Sequence, residues 1–373
     1  MTSSEVSGRL VLEARVAVGR ISIEDGTIVA IDLDENAADG PYIAPGFVDI
    51  HVHGWGGHDA MGDAGALDDM ARALLRRGVT SFLPTAVTAP FATLHAFAQR
   101  VRAWIPVAPA DGAEALGFNL EGPFLSPEHR GAHDPAFLRA PADVAPAELD
   151  PLLVGLRLMT IAPELPGALD LIRRLRRRGA TVSMGHSAAS LEQARAGFAA
   201  GGVATTHLFN AMSGFDHHAP GMAAAALADD AVYAELIADG QHVDPALWPI
   251  VARVKPRARL MLVSDAIALG GMGDGRTAIG GLDVEVAAGR ATLAGTSTLA
   301  GSVIALDTAV RNLALAGIPL PAAVAAASRN PLTMLRIFDR GRIAIGQRAD
   351  LVELDDDLRV RRVVRAGREV DPG

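Results

Sequence analysis

The chain contains no cysteine. Disulfides and thiolate metal sites are excluded, so any bound metal must be held by nitrogen and oxygen ligands. Lysine is nearly missing as well: Lys255 is the single one among 34 basic residues. That bias toward arginine reads as a property of the genome rather than of function. A basic excess is also lacking, since the formal net charge is −9 and the isoelectric point lies near 5.7. A nucleic-acid partner, which needs a basic face, is not expected. No apolar run is long and uncharged enough to span a bilayer, and the polar start MTSSEVSGR lacks the charged-then-apolar layout of a signal peptide. The expectation is a soluble cytoplasmic protein with no membrane partner.

What is present is apolar bulk. Half of the 373 residues are hydrophobic, enough for one large domain or for one of about 250 residues with a smaller companion. The two chain ends read alike. Residues 9–34 alternate as strands do around the tight-turn dipeptide Asp25-Gly26, and residues 343–370 repeat the habit with turns at 355–357 and at Ala366-Gly367. Neither end has enough apolar surface to stand alone. They are expected to pair as one small β-sandwich domain, residues 1–44 with 341–373.

Between them the pattern becomes helix, glycine, buried strand. Leu67, Met70 and Leu74 keep helical spacing, Gly78 closes that helix, and VTSFLPTA starts a strand; similar units recur before ATVSMGH and VATTHLF. Eight apolar strand candidates follow one another: FVDIHVH, VTSFLPTA, ALGFNLEG, LRLMTIAPE, TVSMGHS, VATTHLFNA, YAELIADGQH and RLMLVSDA. That is the spacing of a (β/α)8, TIM-like barrel, here residues 45–340, which places its chemistry at the carboxyl ends of the strands. The competing open, doubly wound sheet lacks its G-x-G-x-x-G after the first strand.

Reading those strand ends in order gives His51, His53, Thr85, Glu121, Glu164, His186, His207, His242 and Asp265. His51 and His53 lie two apart on a strand and point the same way, into a loop that Gly54, Gly56 and Gly57 allow to bend. Glu121, His186 and His207 supply one set of imidazole and carboxylate ligands for a divalent metal such as Zn2+, and Asp265 a carboxylate to move the proton of a metal-activated water. Each has a bland alternative when taken singly. His207 suits a hydrogen-bonded core position, and Glu121 or Asp265 suits a cap on the next segment. Gathered at successive strand ends, they read as a site. The arginine cluster 173–178 lies in a helical pattern and reads as a solvated face. Lys255 precedes the eighth strand and belongs near the opposite end, which rules out a lysine bridge between two metals.

The run PGFVDIHVHGWGG resembles the opening of the amidohydrolase superfamily. LEGPFLSPEHRGAHDP, GHS, THLFNAM, ADGQHVDP, LVSDA and RNPLTMLRI, in this order over most of the chain, resemble the N-acetylglucosamine-6-phosphate deacetylases within it. The resemblance implies a sandwich plus barrel, a metal on Glu121, His186 and His207, a possible second on His51 and His53, and Asp265 as catalytic acid and base. It also implies His133 at the acetyl carbonyl. Ala132, Asn210, Ala211 and His242 would line an amino-sugar phosphate pocket closed by Leu299, Ala300 and Gly301, in a homodimer. One position departs from the family: where relatives carry an arginine for the phosphate, DHHAPG places His218. Imidazole is neither always charged nor bidentate, so weaker or more pH-dependent phosphate binding is expected. Two alternatives stand beside this reading. One is an amidohydrolase for another N-acetylhexosamine or an N-acyl amino acid; the other is a barrel without catalysis that binds sugar.

Overall fold

The eight apolar runs form a parallel barrel in the order in which they occur. In the computed structural model, which describes residues 3–34 and 39–370, its strands are Phe47–Val52, Val79–Ala86, Phe118–Glu121, Leu156–Ile161, Thr181–Met184, Ala204–Thr205, Tyr233–Leu236 and Leu260–Leu262. Every residue of the first two strands is buried. Parallel strands covered on both faces require such continuous apolar runs rather than an alternating pattern. The eighth strand meets the first through single bonds at the carboxyl end. Asp265 N–H donates to the His51 carbonyl at 2.9 Å, and His53 N–H to that of Ala266 at 2.8 Å. The ring is thereby closed where the candidate site residues sit.

Local signals set the helices between the strands. Helix Ala64–Leu75 starts at Asp63, whose carboxylate accepts from Ala66 N–H at 2.9 Å, and it buries Leu67, Met70 and Leu74. Gly78 then turns the chain at a φ of +79°. Helix Leu191–Ala200 opens with a reciprocal pair of bonds between Ser190 and Gln193. In the arginine-rich helix Ala168–Arg177, Arg173 pairs with Asp170 at 2.8 Å, and Arg178, just beyond its end, with Asp150 at 3.0 Å. The cluster is a partly paired outer face.

Strands Ser3–Val11, Val16–Glu24, Thr27–Leu33 and Tyr42–Pro45 join Leu351–Leu354, Val360–Arg365 and Arg368–Val370 in one seven-stranded sheet. Both dipeptide turns are as expected, with positive φ at Asp25, Gly26, Ala366 and Gly367. The sheet curls over on itself: Ile28 N–H donates to the Gln347 carbonyl at 2.9 Å and Ala349 N–H to that of Gly26 at 2.8 Å. Its two layers enclose a core of their own, including Leu10, Ile21, Ile28, Ile43 and Leu351. We propose domain boundaries at 44/45 and 340/341; residues 1–2, 35–38 and 371–373 of the outer spans lie outside the described part.

A third sheet was not anticipated. Gly275–Ile279, Leu282–Ala287 and Arg290–Leu293 form an antiparallel trio after the eighth barrel strand. Gly280-Gly281 and Ala288-Gly289 mark its turns, all four with positive φ. Ile279, Val284, Val286 and Ala291 pack it onto Val87, Ile267 and Ala300.

Lys255 ends helix Trp248–Val254, ahead of the eighth strand and away from the site. Only 2% exposed, it donates from Nζ to the Ala226 and Asp229 carbonyls at 2.8 and 2.7 Å. Burial pushes its pKa down to about 8 from 10.5, against the pull of Asp229 and Asp230. The unfolded chain thus keeps this proton at pH values where the folded chain has released it, and stability from this group rises with pH across that window. Lys255→Met strands two carbonyls and should cost about 1–3 kcal/mol in urea unfolding at neutral pH. The deficit against wild type should widen as pH rises from 8 to 10.5; equal stability of the two proteins throughout would refute this role.

Candidate metal centre and active site

Sharp bends fall at the residues that build the site. Glu121 ends the third barrel strand, while His186, His207 and Asp265 follow the fifth, sixth and eighth with φ values of +47°, +29° and +50°. Phe209 and Ala211 are also left-handed, at +79° and +46°. Such backbone costs on the order of 1–3 kcal/mol per non-glycine residue and persists only where its surroundings over-determine it.

The side chains converge on Glu121. His186 Nε2 and His207 Nε2 lie 3.0 Å apart, and 3.1 and 3.0 Å from Glu121 Oε1. Ligands at about 2.1 Å around a tetrahedral cation stand roughly 3.4 Å from one another, so this spacing suits a ligand set that closes slightly on itself. A second group shares the same carboxylate. His53 Nε2 is 3.2 Å from both Glu121 Oε2 and Asp265 Oδ1. His51 Nε2 is 3.2 Å from His53 Nε2, 3.4 Å from Glu121 Oε1 and 3.5 Å from Asp265 Oδ1. With nitrogen and oxygen donors only, both groups fit a divalent cation, and Glu121 belongs to both.

Hydrogen bonds on the far side of each ring fix what it offers. Nδ1–H of His53, His186 and His207 donates to the carbonyls of Thr85, His129 and Asn210 at 3.2, 2.8 and 3.2 Å. A carbonyl only accepts, so the neutral form of each ring presents its Nε2 lone pair to the centre. His51 Nδ1 does the same toward the buried Glu235 carboxylate at 3.4 Å. His133 is reversed. Thr88 N–H donates to its Nδ1 at 3.2 Å, which leaves Nε2 as the donor, 3.3 Å from Glu121 Oε2. His133 occupies a place beside Glu121 and His186 that a ligand would fit by distance alone. Its tautomer makes it a hydrogen-bond donor there.

Burial and the neighbouring charges set how readily each group gives up its proton. Burial pushes the His53 imidazolium down, but hydrogen bonds and attraction from Asp265 and Glu121 outweigh it and bring the pKa to about 9. His51 is likewise held well above its usual value by Glu121 and Asp265 against burial. Burial brings His186 down to about 4, ready to coordinate as a neutral ring. Burial pushes Asp265 up, yet His51 and His53 win and draw it down to about 2. A metal must displace the proton of His53 at any pH below about 9, so apparent affinity should tighten as pH rises from 6 to 9. Competition with a chromophoric chelator would measure this, and a pH-independent affinity would contradict it. Glu121→Gln should reduce bound divalent metal, counted by elemental analysis, more than His53→Asn does, because Glu121 belongs to both groups.

A cavity of about 340 Å3 opens above the cluster, lined by His53, Glu121, His133, His186, His207 and Asp265. Of the residues expected around substrate, Ala132, Asn210, Ala211, His242, Leu299 and Gly301 line it too. Ala300 and His51 are fully buried behind it. His218 is not among the lining residues; it is exposed in the stretch 214–219, its ring 3.9 Å from that of His217. Glu164 stands aside as a brace, accepting from Ser187 Oγ at 2.7 Å and Ala188 N–H at 2.6 Å. Three partners were missed: Glu235, Thr88, and Asp239, which accepts from His242 Nδ1–H at 2.7 Å. Glu235 had a signal, a charge within the apolar run YAELIA; Thr88 had none.

Known proteins share this architecture. The profile of the amidohydrolase family matches residues 42–370. N-acetylgalactosamine-6-phosphate deacetylase of Escherichia coli O157:H7 is 39% identical over 358 residues, covering 92% of each chain. N-acetylglucosamine-6-phosphate deacetylase of Danio rerio is 40% identical over 342 residues, or 88% of this chain and 84% of that one. Among solved structures, the N-acetylglucosamine-6-phosphate deacetylase of Thermotoga maritima superposes with a TM-score of 0.92 at 33% identity, over 98% and 99% of the two chains. A mutant of the Mycobacterium smegmatis deacetylase in complex with N-acetyl-D-glucosamine-6-phosphate gives a TM-score of 0.91 at 35% identity, over 100% of both. With the fold, the strand-end cluster and these likenesses together, the chain belongs to the amidohydrolase family.

Proposed function

We infer that the protein hydrolyses the acetamide of N-acetyl-D-glucosamine 6-phosphate, releasing D-glucosamine 6-phosphate and acetate. The observation that carries this reading is the pair of opposed tautomers around one carboxylate. His186 and His207 turn lone pairs inward beside Glu121, while His133 turns an N–H inward 3.3 Å from it. One arrangement holds a cation; the other receives negative charge on an oxygen. The relatives' names and the sugar phosphate bound to the mycobacterial structure support the substrate.

Glu121, His186 and His207 would hold the metal, Zn2+ by the chemistry of the donors, and His51 and His53 with Asp265 and Glu121 a second. When bound, the metal polarises the acetyl carbonyl and lowers the pKa of water. Asp265, kept ionised by His51 and His53, accepts the proton of the attacking water. As charge grows on the carbonyl oxygen, His133 Nε2–H stabilises it, its ring held by Thr88. Asp265 then hands its proton to the sugar nitrogen, an amine that leaves poorly without it, and the carbon–nitrogen bond breaks. Ala132, Asn210, Ala211 and His242 would seat the sugar. Asp239 orients His242, and Leu299 to Gly301 form the outer wall.

Among the described residues, no arginine or lysine lines the cavity. His218, in the place of the family's arginine, is exposed outside that lining, so it would meet the phosphate only where the sugar phosphate extends beyond the cavity. A homodimer in the cytoplasm suits this reading, since the exposed stretch 214–219, with Phe215 66% accessible, offers the surface a partner chain would use. A second reading replaces glucose with galactose configuration, favoured by the E. coli relative.

Asp265→Asn should lower kcat by at least the roughly 10²-fold to 10⁴-fold of a general acid–base. His133→Asn should cost about 10²-fold to 10³-fold in kcat with metal content unchanged. Rates on both epimers, with and without phosphate, test the substrate. Equal kcat/KM on phosphorylated and free sugar removes the phosphate; a preference unchanged in His218→Ala removes His218 from its recognition.

A further inference from the structure

A second cavity, of about 440 Å3, lies beside the first and shares three of its lining residues, His53, Val87 and Ile279. Met61, Ala89 and Thr93 line its farther part. The proposed chemistry does not use it. We propose that it is an acyl-chain pocket, so that the enzyme removes N-acyl groups longer than acetyl, such as propanoyl and butanoyl, from amino-sugar phosphates.

This rests on the functional reading above and on the order of the strands. Asn210 and Ala211 follow the sixth barrel strand and His242 the seventh, whereas Val87 follows the second. In a ring of eight, the second strand stands opposite the sixth. The two substituents of an amide carbonyl carbon diverge at about 120°, so a sugar nitrogen on the side of the sixth and seventh strands sends the acyl chain toward the first and second. There it meets Val87 and Ile279, with the second cavity behind them.

That wall is one pair of side chains, shared by the two cavities. Val87 and Ile279 are 3% and 5% exposed and belong to the small core under the antiparallel trio, separate from the core of the barrel. The tip Gly280-Gly281 rests on the wall: a Cβ on Gly280 would come within 2.9 Å of Val87 Cγ2. A chain that parts Val87 from Ile279 enters a space walled by Met61, Ala89 and Pro90, with Asp59 and Thr85 in its polar lining. Burial there favours each added methylene by roughly fourfold in kcat/KM, opposing the cost of moving the wall. The reaction is unchanged. Water adds to the acyl carbon, the carbon–nitrogen bond breaks, and the amine and the longer carboxylate leave.

The test is kcat/KM on the N-acetyl, N-propanoyl, N-butanoyl and N-hexanoyl hexosamine 6-phosphates. Wild type should turn over the propanoyl and butanoyl compounds within about tenfold of acetyl, with hexanoyl falling away. Ile279→Ala should raise the butanoyl-to-acetyl ratio by about fourfold or more. Thr93→Trp, at an exposed helical position, should fill the second cavity and lower that ratio about tenfold. Efficient acetyl hydrolysis with no turnover of longer chains by wild type or Ile279→Ala overturns the proposal alone, as does a Thr93→Trp effect equal at every chain length. Failure to hydrolyse any of the four overturns the functional reading and this one with it.

Discussion

Everything at the mouth of the barrel depends on burying one carboxylate. Glu121 is 3% exposed, and an ionised carboxylate taken out of water is costly unless opposing charge and hydrogen bonds surround it. Burial alone would push its pKa up. His51, His186 and His133 outweigh that and hold it well below the usual carboxylate range. The same contacts read from the imidazole side explain the raised values of His51, His53 and His207. Positive charge is required at this spot, and either protons or a cation must provide it. The shared carboxylate makes the choice collective, because whatever settles near Oε1 changes what Oε2 attracts.

Backbone, rather than other side chains, sets the direction of most of the rings. Three of the inward-facing histidines give Nδ1–H to carbonyls, at Thr85, His129 and Asn210. Those carbonyls lie on the barrel's strand ends and loops, so the tautomers are consequences of the fold. The left-handed residues have a place in the same scheme. His207 and Ala211 bracket the turn that brings the Asn210 carbonyl back to within 3.2 Å of the His207 ring. A relaxed backbone there would part the His207 ring from its acceptor.

How far this was legible in the sequence follows from where the constraint lies. The eight barrel strands showed because strands buried on both faces must be apolar throughout, and glycine breaks separate them from helices. Glu121, His186, His207 and Asp265 showed because polar residues at the ends of such runs have few structural reasons to be there. The trio at 275–293 did not show: its strands are half-exposed and alternate over a few residues, as loops also do. Glu164 was visible as a strand-end acid, yet its carboxylate is spent on Ser187 and Ala188. Nothing in the text distinguishes it from Glu121, since the distinction is which neighbours the ring of strands brings near. The sandwich was legible as two paired ends, but its curl into a single sheet rests on pairing between residues 26–28 and 347–349, more than 300 apart in sequence.

His133 shows most clearly why residue type underdetermines role. It shares burial, neighbours and distances with the other histidines of the cluster, at 3.3 Å from Glu121 and 4.6 Å between its ring centre and that of His186. One backbone N–H, that of Thr88, occupies its Nδ1 and turns the remaining nitrogen into a donor. Had a carbonyl stood there, the ring would turn a lone pair inward as His186 and His207 do. The antiparallel trio stands close to this bond, because its Ile279 packs in one apolar cluster with Val87, the residue before Thr88.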